Sequence, residues 1–266
     1  MRLTACAGRG GMIDRMTGIE ALADALASAH RGAAILGGAD DVGPRNVKDA
    51  YLVQEAVLQR LEPGQRPVAW KVSPVRDGSD PLASPVPTAG VLASPAIIRA
   101  NERLLLGVEC EIAFRFGEAP RAQMTEAHDP LESIAEAIVL MELCITRLQD
   151  WSSASPMWRL ADFQSHGAFV LGSGRSDWRA IDYARQEAEL RVDGRTVART
   201  VSGHATRDLA PLVAWTVRHC ARRGMPLAAG DIVTTGTWTG LTAVRPVEEL
   251  AAIFPGIGEA RMRLEH

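Results

Sequence analysis

Residues 107–114 read Gly107-Val108-Glu109-Cys110-Glu111-Ile112-Ala113-Phe114. Apolar and acidic residues alternate with a period of two, which predicts a β-strand, extended over 106–116. Successive side chains on a strand point to opposite faces, so Val108, Cys110, Ile112, Phe114 and Phe116 share one face. Glu109 and Glu111 share the other, about 7 Å apart by the rise per residue. Two carboxylates on one face repel unless solvent screens them or a cation lies between them. Spacing alone leaves both readings open: a solvent-facing strand, or a cation site.

A third carboxylate, Glu142, interrupts the apolar run Ile138-Val139-Leu140-Met141-Glu142-Leu143-Cys144-Ile145. Burying an ionised carboxylate is costly unless it is paired or bound to a metal. Arg147 is the local candidate for an ion pair. The metal alternative joins Glu142 to Glu109 and Glu111 as three oxygen ligands of a hard divalent cation, with positions left for water or substrate.

Around these positions the chain reads as α+β with a sheet-rich body. Residues 1–16 read as a loose leader, with Met12 or Met16 as alternative starts. A helical region spans 17–66. Ile19, Leu22, Ala23, Leu26 and Ala27 recur at helical spacing behind a capping box of Thr17 and Glu20, and a second helix is predicted over 46–61, with Val47, Tyr51, Val53, Val57, Leu58 and Leu61 as its stripe. The body is assigned to 67–266. It is predicted to carry strands at 68–73 and 231–244, a proline-rich loop at 74–87, a helix at 131–137 that runs into the apolar segment, and a helix at 209–223 ended by Gly224. A hairpin is predicted over 189–200, turned by Asp193-Gly194.

The 266 residues carry a formal net charge of −3, with 47% hydrophobic and 23% charged residues. This is ordinary globular composition, with no basic excess for nucleic acid and no apolar run long enough to span a membrane. Four scattered cysteines give neither a disulfide framework nor metal-type pairs, which fits a reduced, cytoplasmic protein. The histidines have no metal-ligand spacing and read as surface or hydrogen-bonded structural residues. Gly172-Ser173-Gly174 and Gly256-Ile257-Gly258 lack the remainder of a dinucleotide loop, and no nucleophile-elbow sequence is present.

Five pieces stand in a familiar order: Trp70-Lys71-Val72; Glu109-x-Glu111; Glu142 with Thr146-Arg147 and Asp150-Trp151; Ala161-Asp162; and Gly230-Asp231-Ile232-Val233 with Gly236. Together they resemble the fumarylacetoacetate hydrolase superfamily, in its 2-keto-4-pentenoate hydratase and 4-oxalocrotonate decarboxylase branch, from about Thr17 onward. The resemblance implies a small N-terminal helical region, a mixed β-roll body and a homo-oligomer. It implies Mg²⁺ or Mn²⁺ held by Glu109, Glu111 and Glu142, and a small 2-keto or 2-hydroxydienoate acid as substrate. Lys71 would stabilise an enolate, orient the substrate carboxylate or, with a lowered pKa, move a proton; otherwise it is a surface lysine at a strand edge. Gly236 and Thr237, in Thr234-Thr235-Gly236-Thr237, would bind the substrate carboxylate, with Arg147 as a further substrate contact. Asp162 reads equally as a loop cap or a pocket residue.

One departure bears on the reaction. Pro87-Thr88-Ala89-Gly90 stands where hydratases of this branch carry Pro-Asp-Phe-Gly, and a threonine is no carboxylate base. Hydration is the leading expectation; decarboxylation of a 4-oxalocrotonate-like acid and hydrolysis of an acylpyruvate are its rivals. A non-catalytic 2-keto acid binding protein is the reading from another class, and it turns on whether Asp77 or Asp80 reaches the site. Arg245-Pro246-Val247-Glu248-Glu249, where a Pro-Gly-Asp-like turn is common, is a lesser departure.

Overall fold

A computed structural model describes residues 8–32, 36, 43–74, 79–99, 101, 104–121, 129–206, 208–246 and 248–266, with side chains from Met16 onward apart from Thr17. Residues 1–65 with 147–165 form one compact unit, and residues 66–146 with 166–266 form the other.

The first unit is helical: α1 (Gly8–His30), α2 (Val47–Leu61) and α3 (Pro156–Ala161). Helix α1 starts nine residues before the expected position, so Thr17 lies within the helix rather than at its start. Asn46 caps α2, its side chain accepting from the Asp49 N–H. The buried stripe of α2 keeps Val53, Val57 and Leu58, but Asp49 and Gln54 are buried while Val47 is exposed. Gln54 is accommodated because its amide donates to the Leu160 carbonyl at 2.6 Å. Residues 147–165, which the sequence reading assigns to the body, group with this unit.

The second unit holds β1 (Ala69–Ser73), β2 (Leu82–Val86), β3 (Val91–Ala93), β4 (Ala96–Arg99), β5 (Leu105–Phe116), β6 (Ile134–Ile145), β7 (His166–Arg175), β8 (Glu187–Val192), β9 (Arg195–Val201), α4 (Ala210–Arg222), β10 (Ile232–Thr237), β11 (Glu249–Phe254) and β12 (Gly258–Glu265). A seven-stranded mixed sheet runs β2-β1-β10-β5-β6-β7-β3, and a five-stranded sheet runs β4-β12-β11-β8-β9. The α+β mixture expected from the sequence is the one found. Strand β5 falls within one residue of its predicted span, and the hairpin turns at Asp193-Gly194, both with positive φ.

Three local readings are corrected. Residues 131–137 are not a helix: a short 3₁₀ turn over Pro130–Ser133 leads directly into β6. Its run of buried apolar residues is paired on both sides, by β5 and β7, and this outweighs the local helix propensity of Glu132, Ala135 and Glu136. The predicted proline-rich loop contains β2, whose Pro85 is tolerated because β2 is an edge strand. Strand β10 stops at Thr237 rather than continuing to 244.

The two faces of the seven-stranded sheet have different roles. Val108, Cys110, Ile112 and Phe114 of β5 share a core with Leu250, Ala252, Ala260 and Met262 of the five-stranded sheet. The opposite face carries a smaller apolar cluster with Ala113, Ile138, Leu140 and Phe169, and beside it the acidic residues. Cys110 therefore lies opposite the two glutamates, as the alternation predicts.

Candidate active site

The register between β5 and β6 sets Glu109 directly opposite Glu142. Like charges facing each other across a strand pair are destabilising, so this register needs a positive charge nearby. Lys71 provides one. Strand β1 lies two places from β5, about 10 Å across the sheet, so reaching the pair takes a long side chain. The Lys71 ammonium stands 3.0 Å from Glu142 Oε1 and 3.8 Å from Glu109 Oε2. It is buried, as are Glu111 and Glu142, while Glu109 is partly open.

His166, at the start of β7, contacts Glu142 Oε1 through Nδ1 at 3.0 Å. It is a candidate site residue that the sequence reading does not single out. Its neighbours in the chain give no ligand spacing, and only the β6–β7 pairing brings it to Glu142. Gly90, in the loop that carries Thr88, lies against the same ring: a Cβ there would sit 3.0 Å from His166 Nε2. Thr88 itself is exposed.

Glu111 is held from another direction. The Gly236 N–H donates to its Oε2 at 3.1 Å. Gly236 has φ +97, and a Cβ would meet Pro74 Cδ at 2.7 Å, so this turn requires glycine. The amide assigned from the sequence to a substrate carboxylate is thus committed to Glu111, whereas the Thr237 hydroxyl is buried without a partner among the described residues.

The electrostatics follow from burial and crowding. Burial pushes the Glu142 carboxyl up to about 8; the Lys71 ammonium opposes the rise and Glu109 adds to it. Glu111 is raised by burial and by repulsion from Glu142 and Glu109. Burial pulls Lys71 down, but Cys144, Glu142, Glu109 and Glu111 outweigh it and raise the ammonium above its ordinary range. The expected lowering of the Lys71 pKa is not found: surrounded by acidic groups, its charged form is favoured.

Two more expectations change. Glu142 does not depend on Arg147 for a partner, since Lys71 and His166 both reach its Oε1. Arg147 is buried in the helical unit with its backbone N–H and its guanidinium on Asp162, at 3.0 and 3.3 Å. Asp162 is thus an internal counter-charge. Asp80 is exposed, and Asp77 lies outside the described residues.

The residues present fit a divalent cation. Glu142 Oε2 and Glu111 Oε1 are buried and accept no hydrogen bond among the described residues. Orphaned carboxylate oxygens of this kind, in a cluster of three acids with one lysine, are suited to cation ligation. Glu109, Glu142 and Cys144 each offer a ligand atom within 4.8 Å of the others; Glu111, tethered by Gly236, falls outside that group.

The fumarylacetoacetate hydrolase C-terminal family model matches residues 64–265. The chain belongs to this family. It is 26% identical over 228 residues to the 2-keto-4-pentenoate hydratase of Paraburkholderia xenovorans, covering 83% of this chain and 84% of that one. It is 28% identical over 255 residues to a TodF product hydratase of Pseudomonas putida, covering 92% and 94%. Among solved structures it is similar to a 4-oxalocrotonate decarboxylase of Pseudomonas putida G7, complexed with calcium and acetate, with TM-score 0.79, 19% identity and 94% and 98% coverage. That similarity concerns the fold alone. No helix among the described residues is long and apolar enough to cross a membrane.

Proposed function

We propose that the protein is a divalent-metal-dependent hydratase acting on a 2-hydroxydienoate or 2-keto-4-enoate acid such as 2-keto-4-pentenoate. The observation that carries this is the gathering of Glu109, Glu142 and Lys71, with Glu111 beside them, on one face of a sheet whose other face is packed core. The named hydratases of similar length support the substrate class. Glu109, Glu111 and Glu142 would hold Mg²⁺ or Mn²⁺, for which an all-oxygen ligand set is suited. When bound, that ion would supply Lewis-acid polarisation of the substrate's keto oxygen.

The remaining work falls to the chain. The Lys71 ammonium stabilises negative charge on the substrate's oxygens as ketonisation moves the enol proton to the far carbon of the diene. Water then adds across the double bond left conjugated to the ketone. His166 holds Glu142 by Oε1, which leaves Oε2 for ligation. Gly236 holds Glu111, and the Thr237 hydroxyl, which has no partner among the described residues, would donate to the substrate carboxylate. Arg147 contributes by anchoring the 147–165 segment through Asp162. A homo-oligomer in a reducing, cytoplasmic setting accords with the family resemblance and the unpaired, buried Cys110, Cys144 and Cys220.

Thr88 favours one second reading. An exposed threonine replaces the carboxylate expected to carry the hydration proton, whereas decarboxylation needs only enolate stabilisation. The test is loss of absorbance of a 2-hydroxydienoate in the presence of Mg²⁺, with products weighed. Gain of water supports the hydratase, loss of CO₂ the decarboxylase, and two acid fragments the hydrolase. Glu109→Gln should abolish turnover; equal turnover by that variant overturns the metal mechanism. Binding of oxalate or pyruvate without turnover on any of these acids would make the protein a binding module.

A further inference from the structure

The peptide that joins Thr235 to Gly236 carries the N–H that tethers Glu111. Strand pairing does not fix its orientation. Between Thr234, which faces Ala113, and Thr237, which faces Glu111, β10 has one residue more than β5. Such a bulge interrupts the ladder, and Gly236, with φ +97, has the freedom to let the peptide turn over. A turned peptide would set the Thr235 carbonyl against the Glu111 carboxylate.

His204, in the segment after β9, opposes that. Its Nε2 stands 2.7 Å from the Thr235 carbonyl oxygen. The C=O and N–H of one trans peptide point in opposite directions. A ring that donates to the Thr235 oxygen therefore keeps the Gly236 N–H aimed at Glu111 Oε2, 3.1 Å away. Nε2 carries a proton in the imidazolium, whose Nδ1 also donates to the Thr206 carbonyl at 2.8 Å. It carries one too in the neutral form whose Nδ1 accepts from the Thr206 N–H at 3.2 Å. The same stretch is pinned on its other sides. Thr234 Oγ1 accepts from the Val72 N–H, next to Lys71, and the Thr235 hydroxyl donates to the Ile112 carbonyl, next to Glu111.

We propose that His204 is a positioning residue that locks the Thr235–Gly236 peptide, so that Glu111 presents Oε1 to the divalent cation. That oxygen is buried and accepts no hydrogen bond among the described residues. The inference rests on the metal-dependent reading of this face and adds to it a residue that acts only through the peptide.

The ring also packs on Trp238, with centroids 5.0 Å apart, so the test must separate bracing from packing. His204→Phe keeps a ring on Trp238 and removes the donor; His204→Gln loses the ring and supplies an amide N–H. Mn²⁺ titration followed by electron paramagnetic resonance should find binding about tenfold weaker in His204→Phe, with His204→Gln close to wild type. The Gly236 amide proton, seen by nuclear magnetic resonance in the metal-free protein, should move upfield in His204→Phe as its bond to Glu111 loosens. The reverse order of the two variants, equal Mn²⁺ binding by both, or an unmoved Gly236 resonance overturns the proposal. Wild type alone gives a further readout: its ring nitrogen shifts should show a protonated Nε2, and an unprotonated Nε2 overturns the proposal whether or not the variants fold. Turnover of a 2-hydroxydienoate by wild type is measured separately. No turnover with the expected Mn²⁺ pattern sinks the hydratase reading and keeps this inference, while turnover with equal binding by both variants does the reverse.

Discussion

Replacing Lys71 with methionine separates structural charge compensation from catalysis. At an effective dielectric of about 20, the ammonium attracts Glu142 by about 5 kcal/mol at 3.0 Å and Glu109 by about 4 kcal/mol at 3.8 Å. Most of that is offset by the cost of burying the ammonium, and the net effect of breaking a buried pair is about 3–5 kcal/mol. For a chain of this size each kcal/mol moves the melting temperature by about 2–4 °C, so Lys71→Met should melt roughly 6–20 °C below wild type in a chelating buffer. Without the ammonium a positive charge that repels a cation is gone, so a divalent cation should be drawn more strongly to the Glu109, Glu111 and Glu142 carboxylates. By reciprocity, metal should raise the melting temperature of the variant more than that of wild type and narrow the gap. Thermal melting by circular dichroism, with chelator and with saturating Mg²⁺, measures both quantities. A variant within 1 °C of wild type in chelator, or a gap that metal leaves unchanged, would refute the assignment of Lys71 as counter-charge to this cluster. Activity should be lost in either case, because methionine offers no charge to the enolate.

Other outcomes follow from single contacts. His166→Ala removes the 3.0 Å contact that orients Glu142, and calorimetry should find metal binding about 10–100-fold weaker; a change within twofold would show that Glu142 needs no such support. Gly236→Ala forces a Cβ to 2.7 Å from Pro74 at a positive φ, so the denaturant midpoint should fall by the equivalent of about 1–3 kcal/mol, and an unchanged midpoint would show that the turn relaxes freely. His219 is stacked on Trp215, and burial, with help from Arg223 and Arg222, lowers its pKa to about 4. Because the folded value lies below the unfolded value of about 6.5, the neutral ring's contribution is complete above pH 6.5. It is lost as pH falls from there towards 4. The loss is about 3 kcal/mol at most and roughly 1–2 kcal/mol after solvent screening. His219→Gln should flatten that part of the stability–pH profile, and a profile that keeps its slope would assign the effect to other groups.

How much of this could be read in the chain depends on the range of the interaction concerned. The two-residue alternation around Glu109 and Glu111 gives strand β5, its core face and its acidic face, because strand geometry fixes these whatever lies alongside. The Asp193-Gly194 turn and the helix capped by Asn46 are equally local. The start of strand β6 is not legible locally, because Glu132, Ala135 and Glu136 favour a helix in isolation and only pairing with β5 and β7 overrides them.

The sequence by itself determined that three acids and a lysine must be compensated somewhere, since charge and hydropathy are properties of the residues. Tertiary structure alone decided how. The register that sets Glu109 against Glu142, the reach of Lys71 across two strands, and the arrival of His166 and Cys144 at the same carboxylates all depend on which strands are neighbours. Strand order joins residues far apart in the chain, 73 positions at Lys71 and Cys144 and 125 at Glu111 and Gly236, and no periodicity within one segment encodes a pairing over such distances.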